Sequence, residues 1–199
     1  MKYITVFILL LVVNQYSILF SQYYNQIGSQ KWMTKNLDVY KFQNGDEIVQ
    51  SQTEDEWIEN TINKVPTWCY PDFGWFSSHG KIYNWYAVID RRKLAPNGYR
   101  IPNKNDWETL NNYLEGYLDP STIFKKNFSN KEAGGGYLEI GKGMVGFSSN
   151  RMKAKDSFWT KTQSSELNAY AILFHWKQEI LEIIEPSIGH GFYVRCISN

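Results

Sequence analysis

The apolar residues of this chain change their spacing part-way along, and that change limits the folds open to it. Ile82, Tyr83, Tyr86 and Ile89 recur at helical intervals, with Trp85 adding bulk, so residues 81–89 read as a helix. Trp107, Leu110 and Leu114 follow at i, i+3 and i+7 and make one apolar face. Asn103 stands before them as a cap, Asp106 completes a variant of the capping box, and Gly116 is a stop. Beyond Pro120 the long spacing disappears. Short apolar runs at 144–147, 157–160, 169–176 and 191–196 take over, separated by turn-forming residues. The runs 169–176 and 180–184 are expected to form a hairpin about Lys177-Gln178-Glu179. Helices first and antiparallel strands after make an α+β class.

The segments before the first helix are shorter. Residues 31–37 partly alternate and read as a strand. Residues 39–48 read as a hairpin on Asn44-Gly45, a favoured type I′ pair. Residues 54–59 suit a short helix carrying Trp57. Residues 63–80 are rich in Pro, Gly, Ser and aromatics and read as an irregular loop, and Pro96-Asn97-Gly98 marks a connection over 91–99. Gly134-Gly135-Gly136 reads as a turn rather than a phosphate cradle, because no Lys-Ser/Thr pair follows it.

The N-terminus sets the expected compartment. Lys2 precedes an apolar run from Ile4 to Val13, and the stretch ends Leu19-Phe20-Ser21-Gln22. This is the order of a secretory leader, so residues 1–21 read as a signal peptide and residues 22–199 as one exported domain. The run is too short to span a bilayer, which takes ~20 apolar residues, and no lipid-acceptor Cys stands near the cut. With 21 basic against 20 acidic residues, the charge gives no reason to bind nucleic acid or an anionic membrane. Aromatics at 17% supply enough burial to oppose disorder. The chain has two cysteines, Cys69 and Cys196, and an even count in an exported domain points to one disulfide, worth about 5 kcal/mol on chain-entropy grounds.

An ordered set of motifs carries a family resemblance. Trp32-Met33-Thr34-Lys35-Asn36-Leu37 looks like W-M-x-x-N-L, and Pro66-Thr67-Trp68-Cys69-Tyr70 like P-A-W-C-Y. Residues 80–88 look like G-K-L-Y-N-W-Y-A-V, and residues 94–102 like L-A-P-x-G-W-x-I-P, with Asp106-Trp107 following. Residues 191–196 look like the closing G-F-x-V-R-C. The chain thus resembles the Fibrobacter succinogenes major paralogous domain family, found in exported proteins of Bacteroidetes and Fibrobacteres. The resemblance implies a C-type-lectin-like fold in which first and last strands pair. Two helices would flank a small antiparallel sheet, with a long loop region beside it. Much of the family carries Cys where this chain has Ala95, so the resemblance leaves Cys69 as the intramolecular partner for Cys196. The chain departs from the family at Gly146-Phe147-Ser148-Ser149-Asn150-Arg151 and at Phe158-Trp159-Thr160-Lys161-Thr162.

No chemistry assembles from the motifs. His79, His175 and His190 show no metal-ligand spacing, and G-x-S-x-G, H-E-x-x-H and P-loop patterns are missing from the sequence. The scattered acids single out no facing pair of the kind a glycosidase needs. Glu185-Pro186-Ser187 lacks the amide of a calcium-lectin triplet. Neither a metal nor a cofactor is expected, and no catalytic residue is named. Trp75 and Phe76 in a Gly/Ser-rich loop, with His175 and Trp176 at a strand end, are the candidate ligand contacts, since exposed rings stack on sugars or anchor proteins. The expected function is an exported, non-enzymatic binding or surface-display module with a glycan or protein ligand. An exported carbohydrate-active or protein-modifying enzyme and a structural envelope component are the alternatives.

Overall fold

The computed structural model describes residues 24–71, 79–116, 137–140, 142–145, 155–175 and 180–199. The expected leader at 1–21, the triple glycine at 134–136, the departure at 146–151 and the expected turn at 177–179 lie outside the described residues. Strands β1 (Tyr24–Ile27), β2 (Gln30–Met33) and β3 (Val49–Gln50) precede helix α1 (Glu54–Ile62). Strands β4 (Thr67–Cys69) and β5 (Ile82–Asn84) lead into α2 (Trp85–Ile89), and β6 (Tyr99–Arg100) into α3 (Lys104–Glu115). Then come β7 (Tyr137–Glu139), β8 (Gly143–Val145), β9 (Lys155–Gln163), β10 (Ala169–His175), β11 (Ile180–Ile184), β12 (Gly191–Phe192) and β13 (Ile197–Ser198).

These strands form three sheets, ordered β1-β2-β13-β6, β11-β10-β9 and β3-β4-β5-β12-β7-β8. The molecule is therefore mostly β, and the expectation of an α+β, C-type-lectin-like arrangement with two helices flanking one small sheet is corrected. The physical reason is the length of the early strands. β3 to β6 hold two or three residues each, too few to show a period of two, and distant partners hold two of them. β5 pairs with β12 through Asn84↔Gly191, and β6 with β13 through Arg100↔Ile197. Trp32 of β2 also pairs with Ile197, so the two ends of the described chain meet in one sheet.

Three local readings change with it. Residues 81–89 are half strand and half helix, because Asn84 is a fully buried junction. Its side chain accepts from the Ala87 and Thr67 amides and donates to the Val65 carbonyl. The expected loop at 63–80 contains β4. At Asn44-Gly45 the Gly45 amide donates to Phe42 O and the Phe42 amide to Asp46 O, with φ +92° at Gly45 and no positive φ at Asn44. That is a type I turn closed by a left-handed glycine, not type I′.

The helix at 104–115 forms as its sequence directs. Asn103 accepts from the Asp106 amide, Asp106 accepts from the Asn103 amide, and Trp107, Leu110 and Leu114 face inward. α1 is capped by Thr53, with Trp57 and Thr61 buried.

The core divides in two across β9 and β10. Ile172 and Phe174 of β10, with Phe158 of β9, join Trp32, Trp57, Trp107 and Leu110. Ala171 and Leu173, with Trp159, join Trp68, Tyr83, Trp85 and Phe192 on the other side. Alternate residues of one strand thus enter different cores, which is why 169–176 reads as an unbroken apolar run. Cys69 belongs to the first core and Cys196 to the second, and both are free thiols. The expected disulfide is corrected: each sulfur is buried in a separate apolar compartment, and burial pushes the Cys196 thiol up to about 12.

Candidate functional site

The polar residues of the recurring motifs fall into a closed group and an open one. Arg195 anchors the closed group. It is fully buried, and burial pushes its guanidinium down to about 10. Nη2 and Nε donate to Asn36 Oδ1 at 2.6 and 3.0 Å, Nη1 donates to the Met33 carbonyl at 3.1 Å, and Phe158 lies 5.5 Å beneath the guanidinium. Asn36 in turn donates to the His79 carbonyl. Lys81 holds the next residues. Its amide donates to the Leu37 carbonyl, and its ammonium to the carboxylate and carbonyl of Asp38 and to Tyr70 Oη. The ammonium also sits 4.6 Å from the Trp68 ring centre and 4.9 Å from that of Tyr70. Gly80, at φ +87°, has Leu37 O and Asn36 Cβ so close that a side chain would press on both. Asn36, Leu37, Gly80, Lys81 and Arg195 therefore bind one another and pin residues 33–38 against the core.

The open group lies along residues 93–101. Pro96-Asn97-Gly98-Tyr99 is a tight turn, with the Tyr99 amide donating to Pro96 O and Gly98 at φ +82°. Gln43 bridges to the Ala95 carbonyl, and the Asn199 amide donates to Gly98 O. Between them is a cleft of about 230 Å³, lined by Gln43, Lys93, Asn97, Tyr99, Arg100 and Lys161 among others. A shallower depression of about 300 Å³ shares Arg100 and Asn199 with it and runs on past Lys31 and Asp106.

Charge in this cleft is partly committed. Arg92 grips both oxygens of Asp90 at 2.8–2.9 Å, and this pairing holds Asp90 below the usual carboxylate range. Arg100 forks onto both oxygens of Asp106. Burial there would raise the Asp106 carboxyl, but Arg100 and the Asn103 amide outweigh it and lower it. Lys93 and Lys161 are exposed, and neither forms an ion pair among the described residues. Lys93 holds φ +64°, a left-handed conformation that a side chain adopts at a cost of about 1 kcal/mol or more.

Of the contacts expected from sequence, Trp75, Phe76 and Trp176 lie outside the described residues. His175 is half-buried on β10, with Nε2 2.7 Å from Glu182 Oε2. Leu173 pairs with Glu182 and His175 with Ile180, so His175 and Glu182 share a face as a diagonal cross-strand pair. His190 lies in a stack with Tyr137 and Phe192, and burial lowers its pKa. Among the described residues no three His, Cys, Asp or Glu side chains gather as a metal site. Sequence reading missed the cleft, treating 91–99 as a plain connection. The sequence held part of its signal, Lys93 and Arg100 on either side of one turn motif, but Lys161 joins them only in the fold.

No curated protein and no solved structure matches this chain. The model of the Fibrobacter succinogenes major domain matches residues 26–198, a span that includes the closed group and all of the cleft's lining but Asn199, and the chain belongs to that family.

Proposed function

We propose that this chain is an exported, non-enzymatic binding module, and that a glycan occupies the cleft along residues 93–101. The observation that carries the reading is the cleft's construction. A polar hollow with one half-buried ring, Tyr99, stands on paired strands and a tight turn, so it is formed before any ligand arrives. At about 230 Å³ it is smaller than the ~300–1,000 Å³ of sites for drug-sized ligands, which suits a single sugar ring better than a buried oligomer. Asp90 and Asp106 are ion-paired and shifted toward permanent ionisation, which suits anchoring rather than proton transfer near neutrality.

Trp75, Phe76, His175 and Trp176 are proposed as further contacts, and export as the work of residues 1–21. Residues 22–199, purified and applied to glycan and cell-surface protein arrays, provide the test. Retention of a glycan supports the reading, and its loss in Tyr99→Ala places the ligand in the cleft. Binding to nothing on either array overturns it. Intact mass of exported material tests the leader: an N-terminus still at Met1 refutes cleavage.

A further inference from the structure

The cleft's charge is more specific than its shape. Arg100 of its lining is committed to Asp106, and Arg92, outside the lining, holds the lining's Asp90. Lys93 and Lys161 are not committed to any described carboxylate, and they come from separate elements, the turn after α2 and strand β9. The acidic side chain in the lining, Asp90, is the one that Arg92 holds, so the two ammonium groups face no uncommitted carboxylate side chain among the described residues. The hollow is left with a positive charge and with amide donors at Gln43 and Asn97.

The placement of Lys93 adds a second observation. Its amide donates to Asp90 O and its carbonyl accepts from the Gln43 amide, so both ends are fixed while φ stays at +64°. Lys64, also left-handed at φ +57°, sits just past α1 with its amide on Thr61 O, where a positive φ ends the helix. Lys93 closes the turn after α2 in the same way, but as a charged residue that lines the cleft, and strain of this kind concentrates at binding sites.

We infer that the ligand of this cleft is an acidic sugar, with its carboxylate between the ammonium groups of Lys93 and Lys161 and its ring against Tyr99. The inference rests on the proposed glycan site and narrows it to one chemical class. A carboxylate ion-paired with an ammonium is held by charge-assisted hydrogen bonds, which favour it over a neutral hexose of equal size.

Calorimetric titration of the folded domain tests this with oligosaccharides bearing galacturonate, glucuronate or sialate, each beside its methyl ester. At least one acidic form should bind, and its ester, which keeps the ring and loses the charge, should bind at least tenfold more weakly. Lys161→Ala should cost the acidic form about tenfold and the ester nothing, and added salt should weaken the acidic form alone. Lys93→Gly separates function from folding: it should raise the Tm by roughly 2–4 °C, because glycine relieves the strain, while weakening the acidic form.

Equal binding of acid and ester overturns the inference and leaves the glycan reading standing. Failure of every acidic form, with a neutral glycan bound on the array, does the same. An Asp/Glu-rich peptide binding as tightly as the sugars, and losing as much in Lys161→Ala, would show that the site reads carboxylate without sugar and also overturns it.

Discussion

Arg195 and Lys161 carry the same charge in opposite circumstances. Arg195 has no exposed surface and spends its donors on Asn36 and Met33, inside a group of motif residues that hold one another. Lys161 stands exposed at the rim of a cleft with no ion pair among the described residues. The contrast shows that membership of a recurring motif does not by itself mark a binding residue. Trp-Met-x-x-Asn-Leu, Gly-Lys and Val-Arg-Cys build the frame, whereas the segment from Leu94 to Ile101 builds a surface. A buried cation is kept because removing it leaves its acceptors stranded; an exposed one in a cleft is free to meet a ligand.

The largest expected effect breaks the closed side. Arg195→Met keeps the apolar bulk but strands Asn36 Oδ1 and Met33 O, at about 2–5 kcal/mol by urea unfolding. A loss below about 1 kcal/mol would mean that the group does not hold the fold. Gly191→Ala comes next. A Cβ there would lie 2.5 Å from Ile82 Cγ2 and 2.7 Å from the Trp57 ring, so overpacking should cost about 1–3 kcal/mol. Unchanged stability would show that β12 can move away from α1.

Asn103→Ala acts on the open side. Losing the capping box should cost about 1 kcal/mol and loosen Asp106, which fixes Arg100 at the cleft wall. The pH dependence should report the same ion pairs. Asp90 and Asp106 both titrate below their ordinary value of 3.8 in the folded state. Their stabilisation is therefore present above that pH and lost as pH falls through 3.8 toward their folded values. Denaturant midpoints that stay level from pH 5 to 2 would contradict this. The smallest expected effect is none at all. A reductant should leave the Tm unchanged, and thiol titration of the denatured, unreduced protein should count both Cys69 and Cys196. A fall in Tm on reduction would restore the disulfide and undo the separation of the two cores.

What the sequence disclosed depended on how local the cause was. The helix at 104–115 was legible because cap, stop and apolar face all lie within its own residues. The hairpin of β10 and β11 was legible because its strands are neighbours with long apolar runs. β4 and β5 were not legible: Thr67–Cys69 and Ile82–Asn84 are strands because they pair with each other and β5 pairs with β12, a partner more than a hundred residues on. The cysteines misled for the same reason. An even count in an exported chain suggests a bond, but Cys69 and Cys196 are assigned to opposite cores by sheet topology, which spacing does not reveal. Of the expected contacts, His175 is tied to Glu182 across the sheet, away from the residues that line the cleft. The cleft was missed because its charge comes together only when β9 brings Lys161 beside the turn that carries Lys93.

The most direct measurement sets Arg195→Met beside Lys161→Met in parallel urea melts. The two substitutions remove the same charge and install the same side chain, one in each region. The expected result is a loss of about 2–5 kcal/mol for the first and a change within about 0.5 kcal/mol for the second. Equal losses, or a larger one at Lys161, would contradict the division into a closed frame and an open cleft.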